Sequence, residues 1–211
     1  MPLTGHCANV KPQSLLEASM VEFVRSDGGR WAIPWRFIGW GGAVLLLAAP
    51  FVAMQMHAEG VNWTASDFIF AGVLFGIIGG ALECAVRLSP NGAYRGGAAL
   101  SLLGTLLTIW ANLAVGIVGS EHNPPNQLFF GALLVGILIG FVGRFRAKAM
   151  SLAAAATGIL LWVAFAIASM GPTDEPFVKH GVEFAGTSIF ALLFLGSAWL
   201  FRKSASDQPI L

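Results

Sequence analysis

The chain has 211 residues, 56% of them hydrophobic and only 11% charged, with a net charge of +1 and a mean hydropathy of +0.73. Soluble domains carry roughly 25% charged residues, so this composition excludes an ordinary soluble protein, and the balanced charge gives no sign of a nucleic-acid partner. Cys7 and Cys84 are too few for a disulfide framework, a CxxC redox pair or a cysteine zinc site.

Residues 1–30 read as a cytoplasmic tail in which Leu15, Leu16, Met20, Val21 and Phe23 can form one short interfacial helix. No apolar stretch precedes Cys7, so no cleaved signal peptide is expected. Residues 31–203 form the membrane domain, with apolar spans predicted at 37–56, 67–86, 97–118, 127–143, 149–170 and 184–201. Each can cross a bilayer core about 30 Å thick. Residues 204–211 form a second cytoplasmic tail. The fold class is therefore all-α: one polytopic bundle of six transmembrane helices.

Lys11, Arg25, Arg30 and Arg36 lie before span one, Arg87 and Arg95 after span two, Arg144, Arg146 and Lys148 after span four, and Arg202 and Lys203 after span six. Eleven of the twelve basic residues thus occupy alternate segments, and only Lys179 falls on the other side. The positive-inside rule then places both termini in the cytoplasm. Trp31, Trp35, Trp40, Trp63 and Trp199 lie near predicted interfaces, while Trp110 and Trp162 sit deeper and need a partner for the indole N–H. Phe70/Gly76, Phe130/Gly136 and Phe190/Gly196 recur every 60 residues, a coincidence to be expected among 16 Phe and 26 Gly.

In span two, Glu83 and Arg87 are spaced i, i+4 on the face that carries Gly72, Gly76 and Gly80, two overlapping GxxxG units. An intramembrane ion pair facing the bundle is expected there; it either pins the helix at the interface or couples a proton through Glu83. Gly136 and Gly140 of span four offer a matching surface, so spans two and four are expected to cross closely. On span three, Tyr94, Ser101, Thr105, Thr108 and Asn112 form a stripe leading to Gly116. It reads as a polar path for a small solute or proton, or as a packing face with hydroxyls bonded to their own helix.

The external loop GSEHNPPN holds Glu121, His122, Asn123 and Asn126. Pro124 and Pro125 stiffen it, and Asn123 or Asn126 suits the cap of span four. His57, Asp67, Glu121, His122 and His180 share this side with Glu59, Asp174, Glu175 and Glu183. Imidazole and carboxylate ligands suit a transition metal. No two histidines, however, have a shared-helix ligand spacing, and acids and histidines are what remain where Lys and Arg are excluded, so a metal is not favoured. No Ser-His-Asp spacing, HExxH, P-loop or GxGxxG occurs, no catalytic residue is assigned and no cofactor is implied.

The strings MQMHAEGVNWTASDFIFAGVL, NGAYRGG, WANLAVGIVGSEHNPPN and GRFRAKAM together resemble a family of small bacterial multi-pass membrane proteins, over about residues 31–203. The resemblance rests on Trp-Thr-x-Ser-Asp-Phe and Gly-Ser-Glu-x-Asn-Pro-x-Asn, and it implies a bacterial inner-membrane location without implying any chemistry. The family pattern tends to Asp where this chain has His122, and to Thr-Asp-Glu where it has His57-Ala58-Glu59. Three functional expectations follow. The first is a non-enzymatic accessory subunit or scaffold, whose partners are the bilayer, other membrane subunits or further copies of the chain. The second is a small oligomeric transporter or channel along span three. The third is a metal-dependent membrane enzyme or redox protein using the external set.

Overall fold

The computed structural model describes residues 35–57, 61–120, 122–170 and 180–207. These residues are helical, without strands, and form six helices: α1 (Trp35–Gln55), α2 (Ala65–Leu88), α3 (Gly92–Ala114), α4 (Gln127–Val142), α5 (Ala147–Met170) and α6 (His180–Ser206). A 3-10 turn, Pro124–Asn126, leads directly into α4. The fold is an all-α polytopic membrane bundle, with five helices, α2 to α6, long and apolar enough to cross a bilayer when α4 is taken together with its leading 3-10 turn. The continuous apolar part of α1, Gly39–Gln55, is shorter. The proposed interfacial helix of residues 1–30 lies outside the described residues.

The chain divides into two compact units at Thr64/Ala65. In the first, α1 carries Pro50 in its interior, which removes one backbone donor. Its Phe37, Leu45 and Val44 are open, as apolar side chains are when lipid is their solvent.

In the second unit, α3 packs on α6, α6 on α5 and α5 on α4, while α2 lies against α3. Lipid is as apolar as leucine, so these contacts come from close fit and hydrogen bonds rather than from hydrophobic burial. Small residues supply the fit. Phe201 lies against Gly97 and Phe194 against Gly104, so close that a β-carbon on either glycine would come within 3.0–3.3 Å of the ring. Ser197 Oγ donates to the Gly97 carbonyl at 2.7 Å within this seam. Across α5 and α6, Ser151 Oγ donates to the Ala198 carbonyl (2.9 Å) and Trp162 Nε1 to Ser188 Oγ (3.2 Å), which gives the deep indole its partner. Trp110 stacks on Phe75, centroid to centroid 6.1 Å, between α3 and α2.

Two expectations are corrected by this arrangement. Spans two and four do not cross through their glycines. A β-carbon on Gly136 would collide with the Thr157 hydroxyl and one on Gly143 with the Ala149 methyl, so α4 uses its glycines against α5. Span three also begins earlier than predicted. Asn91 Oδ1 accepts from the N–H groups of Ala93 (2.8 Å) and Tyr94 (3.2 Å), a side-chain cap that starts the helix at Gly92. It ends at Ala114, before Gly116 at φ 76°. The 60-residue Phe/Gly spacing has no common environment: Gly76 is open, Gly136 meets Thr157 and Gly196 meets Leu100.

Candidate functional site

Antiparallel neighbours sort the charges of the second unit. Arg87, Arg95, Arg144, Arg146, Lys148, Arg202 and Lys203 fall at one end of the helices, accompanied by Glu83 and Asp207. The opposite end carries Asp67, His122, His180 and Glu183. At the basic end, Arg95 donates to the carbonyls of Ser89 (2.9 Å) and Val86 (3.1 Å), closing the open carbonyls at the end of α2. Tyr94 Oη donates to the Phe145 carbonyl at 2.7 Å, holding the α4–α5 turn in which Arg144 (φ 53°) and Phe145 (φ 56°) are left-handed.

The densest polar network lies at the opposite end, around Asn126. This side chain is 3% exposed, and its Oδ1 accepts from Val118 N–H at 3.0 Å. Its Nδ2 donates to the carbonyls of Ser120 (2.8 Å) and Val118 (3.2 Å). Asn123 Nδ2 adds a second bond to the Val118 carbonyl at 2.8 Å. The capping expectation holds in position only: Asn123 occupies the N-cap of the 3-10 turn with Pro124 first in it. Asn123 stands before Pro124 and Asn126 before α4, yet neither side chain caps a helix; both hold the incoming loop. Loop groups that could not be hydrated near lipid find their partners this way. Gly119, at φ 70°, donates its N–H to Glu183 Oε1 at 3.0 Å and ties the loop to α6.

Two buried acceptors in this network make no hydrogen bond: Asn112 Oδ1 and Glu183 Oε2. Glu183 Oε2 is 3.5 Å from His180 Nδ1 but is not aligned with it as a hydrogen bond. Asn112 is 3% exposed, and its Nδ2 donates to the Asn126 carbonyl at 2.8 Å, which fixes which way the amide points. A cleft of about 240 Å³ lies beside it, bordered by His122, Asn123, Asn126, Gln127 and Phe130. Among the described residues, no three His, Cys, Asp or Glu side chains gather closely enough to hold a metal ion. Glu59, Glu121, Asp174 and Glu175 lie outside those residues, and His57 belongs to the first unit.

Each of the five side chains of the span-three stripe donates to a backbone carbonyl, three of them to one in their own helix. Ser101 Oγ donates to Ala98 (3.0 Å), Thr105 Oγ1 to Ser101 (2.9 Å) and Thr108 Oγ1 to Gly104 (2.7 Å). Tyr94 and Asn112, at the two ends, reach the turns that flank α4. The stripe thus begins and ends in loop-holding contacts. Tyr94 and Thr108 are buried, and Ser101 and Thr105 are half-buried.

The Glu83–Arg87 pair forms at 3.6 Å. Arg87 is 76% exposed and Glu83 16%. A β-carbon on Gly72, Gly76 or Gly80 would meet nothing within 4 Å, so no described side chain packs directly on these glycines. Sequence reasoning missed the α3–α6 seam, although a signal was present. Gly97/Gly104 and Phe194/Phe201 share a seven-residue spacing, two notches on one helix for two rings on another.

No family model, curated protein or solved structure matches this chain, so the resemblance carried by its motifs lends no residue a role.

Proposed function

We propose that this protein is a non-enzymatic membrane subunit that acts by association, presenting the glycine face of α2 to a helix of a larger complex. One observation carries this reading: Gly72, Gly76 and Gly80 form a ridge with open space above each α-carbon, flanked by the exposed Ile69, Val73 and Ile77. Small-xxx-small ridges of this kind let another helix approach to backbone contact. The interior of α3 to α6 supports the same view, because its small residues already meet Phe194, Phe201 and Thr157. The sorting of basic residues to one end supports an orientation with both termini cytoplasmic.

The test is affinity purification of the tagged full chain from native membranes in mild detergent, beside Gly76→Leu and Gly131→Leu. Gly131 is also open and serves as the control. A stoichiometric partner lost with Gly76→Leu and kept with Gly131→Leu supports the reading. Association insensitive to both, or no association at all, refutes it.

A solute-binding or transport role is the second reading, favoured by the unpartnered Asn112 Oδ1 beside the polar cleft. Flux that disappears in Asn112→Leu, in a protein that still folds, would favour it over the first.

A further inference from the structure

We propose that the groove between the basic ends of α5 and α6 seats the headgroup of an anionic phospholipid. The Ser151–Ala198 hydrogen bond stitches the two helices about one turn in from this end. A groove of about 760 Å³ opens there, lined by Lys148, Ser151, Leu152 and Ala155 of α5 and by Arg202 and Ala205 of α6. It exists because the positions where side chains would fill it are alanine and serine.

Its charge is one-sided. Lys148 and Arg202 reach it from opposite walls, and no described carboxylate lines it. Lys148 lies in the first turn of α5, where the positive end of the helix dipole adds to its charge. Depth is marked by Trp199, which is 63% exposed and has the Lys203 ammonium 5.8 Å from its ring centroid. An exposed indole beside a cation belongs at the headgroup level, and Arg202 follows it by less than a turn. Leu152, 62% exposed, continues the groove along the membrane-spanning part of α5. Two cations at phosphate depth with an apolar continuation fit a charged headgroup together with the start of its acyl chain. A free phosphate would leave the apolar part unfilled. Basic pockets between helices on the positive side of a membrane take anionic headgroups by this chemistry.

The experiment is native mass spectrometry of the full chain in neutral detergent, offered dioleoylphosphatidylglycerol or dioleoylphosphatidylcholine. The wild type is expected to retain phosphatidylglycerol in preference to phosphatidylcholine. Lys148→Gln with Arg202→Gln should weaken that retention about thirtyfold, about fivefold for each cation. Arg144→Gln with Arg146→Gln removes the same charge from the same end outside the groove, and should leave retention nearly unchanged. Leu152→Trp fills the groove with both cations intact and should also expel the lipid, so a folding defect in the first double variant would not decide the matter. Equal losses in the two double variants, or no preference in the wild type, would overturn the proposal. Displacement of the lipid by inorganic phosphate alone would overturn its lipid specificity.

Discussion

Replacing Asn126 by alanine isolates the network that holds the α3–α4 loop. The substitution removes three hydrogen bonds, but their losses are unequal. The Val118 carbonyl keeps Asn123 Nδ2 at 2.8 Å, and the Ser120 carbonyl keeps the Asn123 N–H at 3.1 Å. Val118 N–H keeps nothing, because Asn126 Oδ1 is its acceptor and Val118 is fully buried. An unsatisfied buried donor costs about 1–3 kcal/mol, and the lost side-chain contacts bring the expected total to about 2–3 kcal/mol. Asn123→Ala leaves Val118 O with Asn126 Nδ2 and should cost only about 0.5–1 kcal/mol. The double variant strips the Val118 carbonyl of both donors and should cost more than the sum. Asn126→Asp keeps the acceptor but turns an anion toward two carbonyls, so it should be no better than alanine. Thermal unfolding in detergent, followed by tryptophan fluorescence, gives all four values. Equal stability of Asn126→Ala and Asn123→Ala, or a wild-type melt for Asn126→Asp, would refute the reasoning.

Other substitutions test the remaining contacts by the same assay. Gly136→Ala should destabilise by about 1–3 kcal/mol through its clash with Thr157, and Thr157→Ala should restore most of that loss; additive effects would show that the two do not touch. Arg144→Gly should stabilise by about 0.5–1 kcal/mol, since glycine adopts the φ of 53° without strain. Tyr94→Phe should cost about 1 kcal/mol by freeing the Phe145 carbonyl, and a neutral result would mean that water replaces the hydroxyl there. Ser197→Ala should cost only about 0.6 kcal/mol, the usual worth of an interhelical hydrogen bond in a membrane, with a loss of several kcal/mol counting against that scale.

The amino-acid sequence by itself determines that this chain is helical and embedded in a membrane. Only helices satisfy every backbone group locally in lipid, and apolar length is a property that can be counted along a chain. It also determines which ends of the helices share their basic charge, because alternation along the chain becomes sidedness once each run is a span. Which helices touch was decided by the tertiary structure. Glycine ridges mark a surface able to pack without naming the partner, so Gly136 found Thr157 of α5 rather than Gly76 of α2, whose ridge stays open. The part played by Asn126 was hidden for a similar reason. Its place before α4 suggests a cap, but the backbone groups it serves are eight and six residues earlier, and only the fold of the loop brings them within reach. Local hydrogen-bonding rules act over three or four residues, while the groups that must be rescued from lipid are set by where the chain turns.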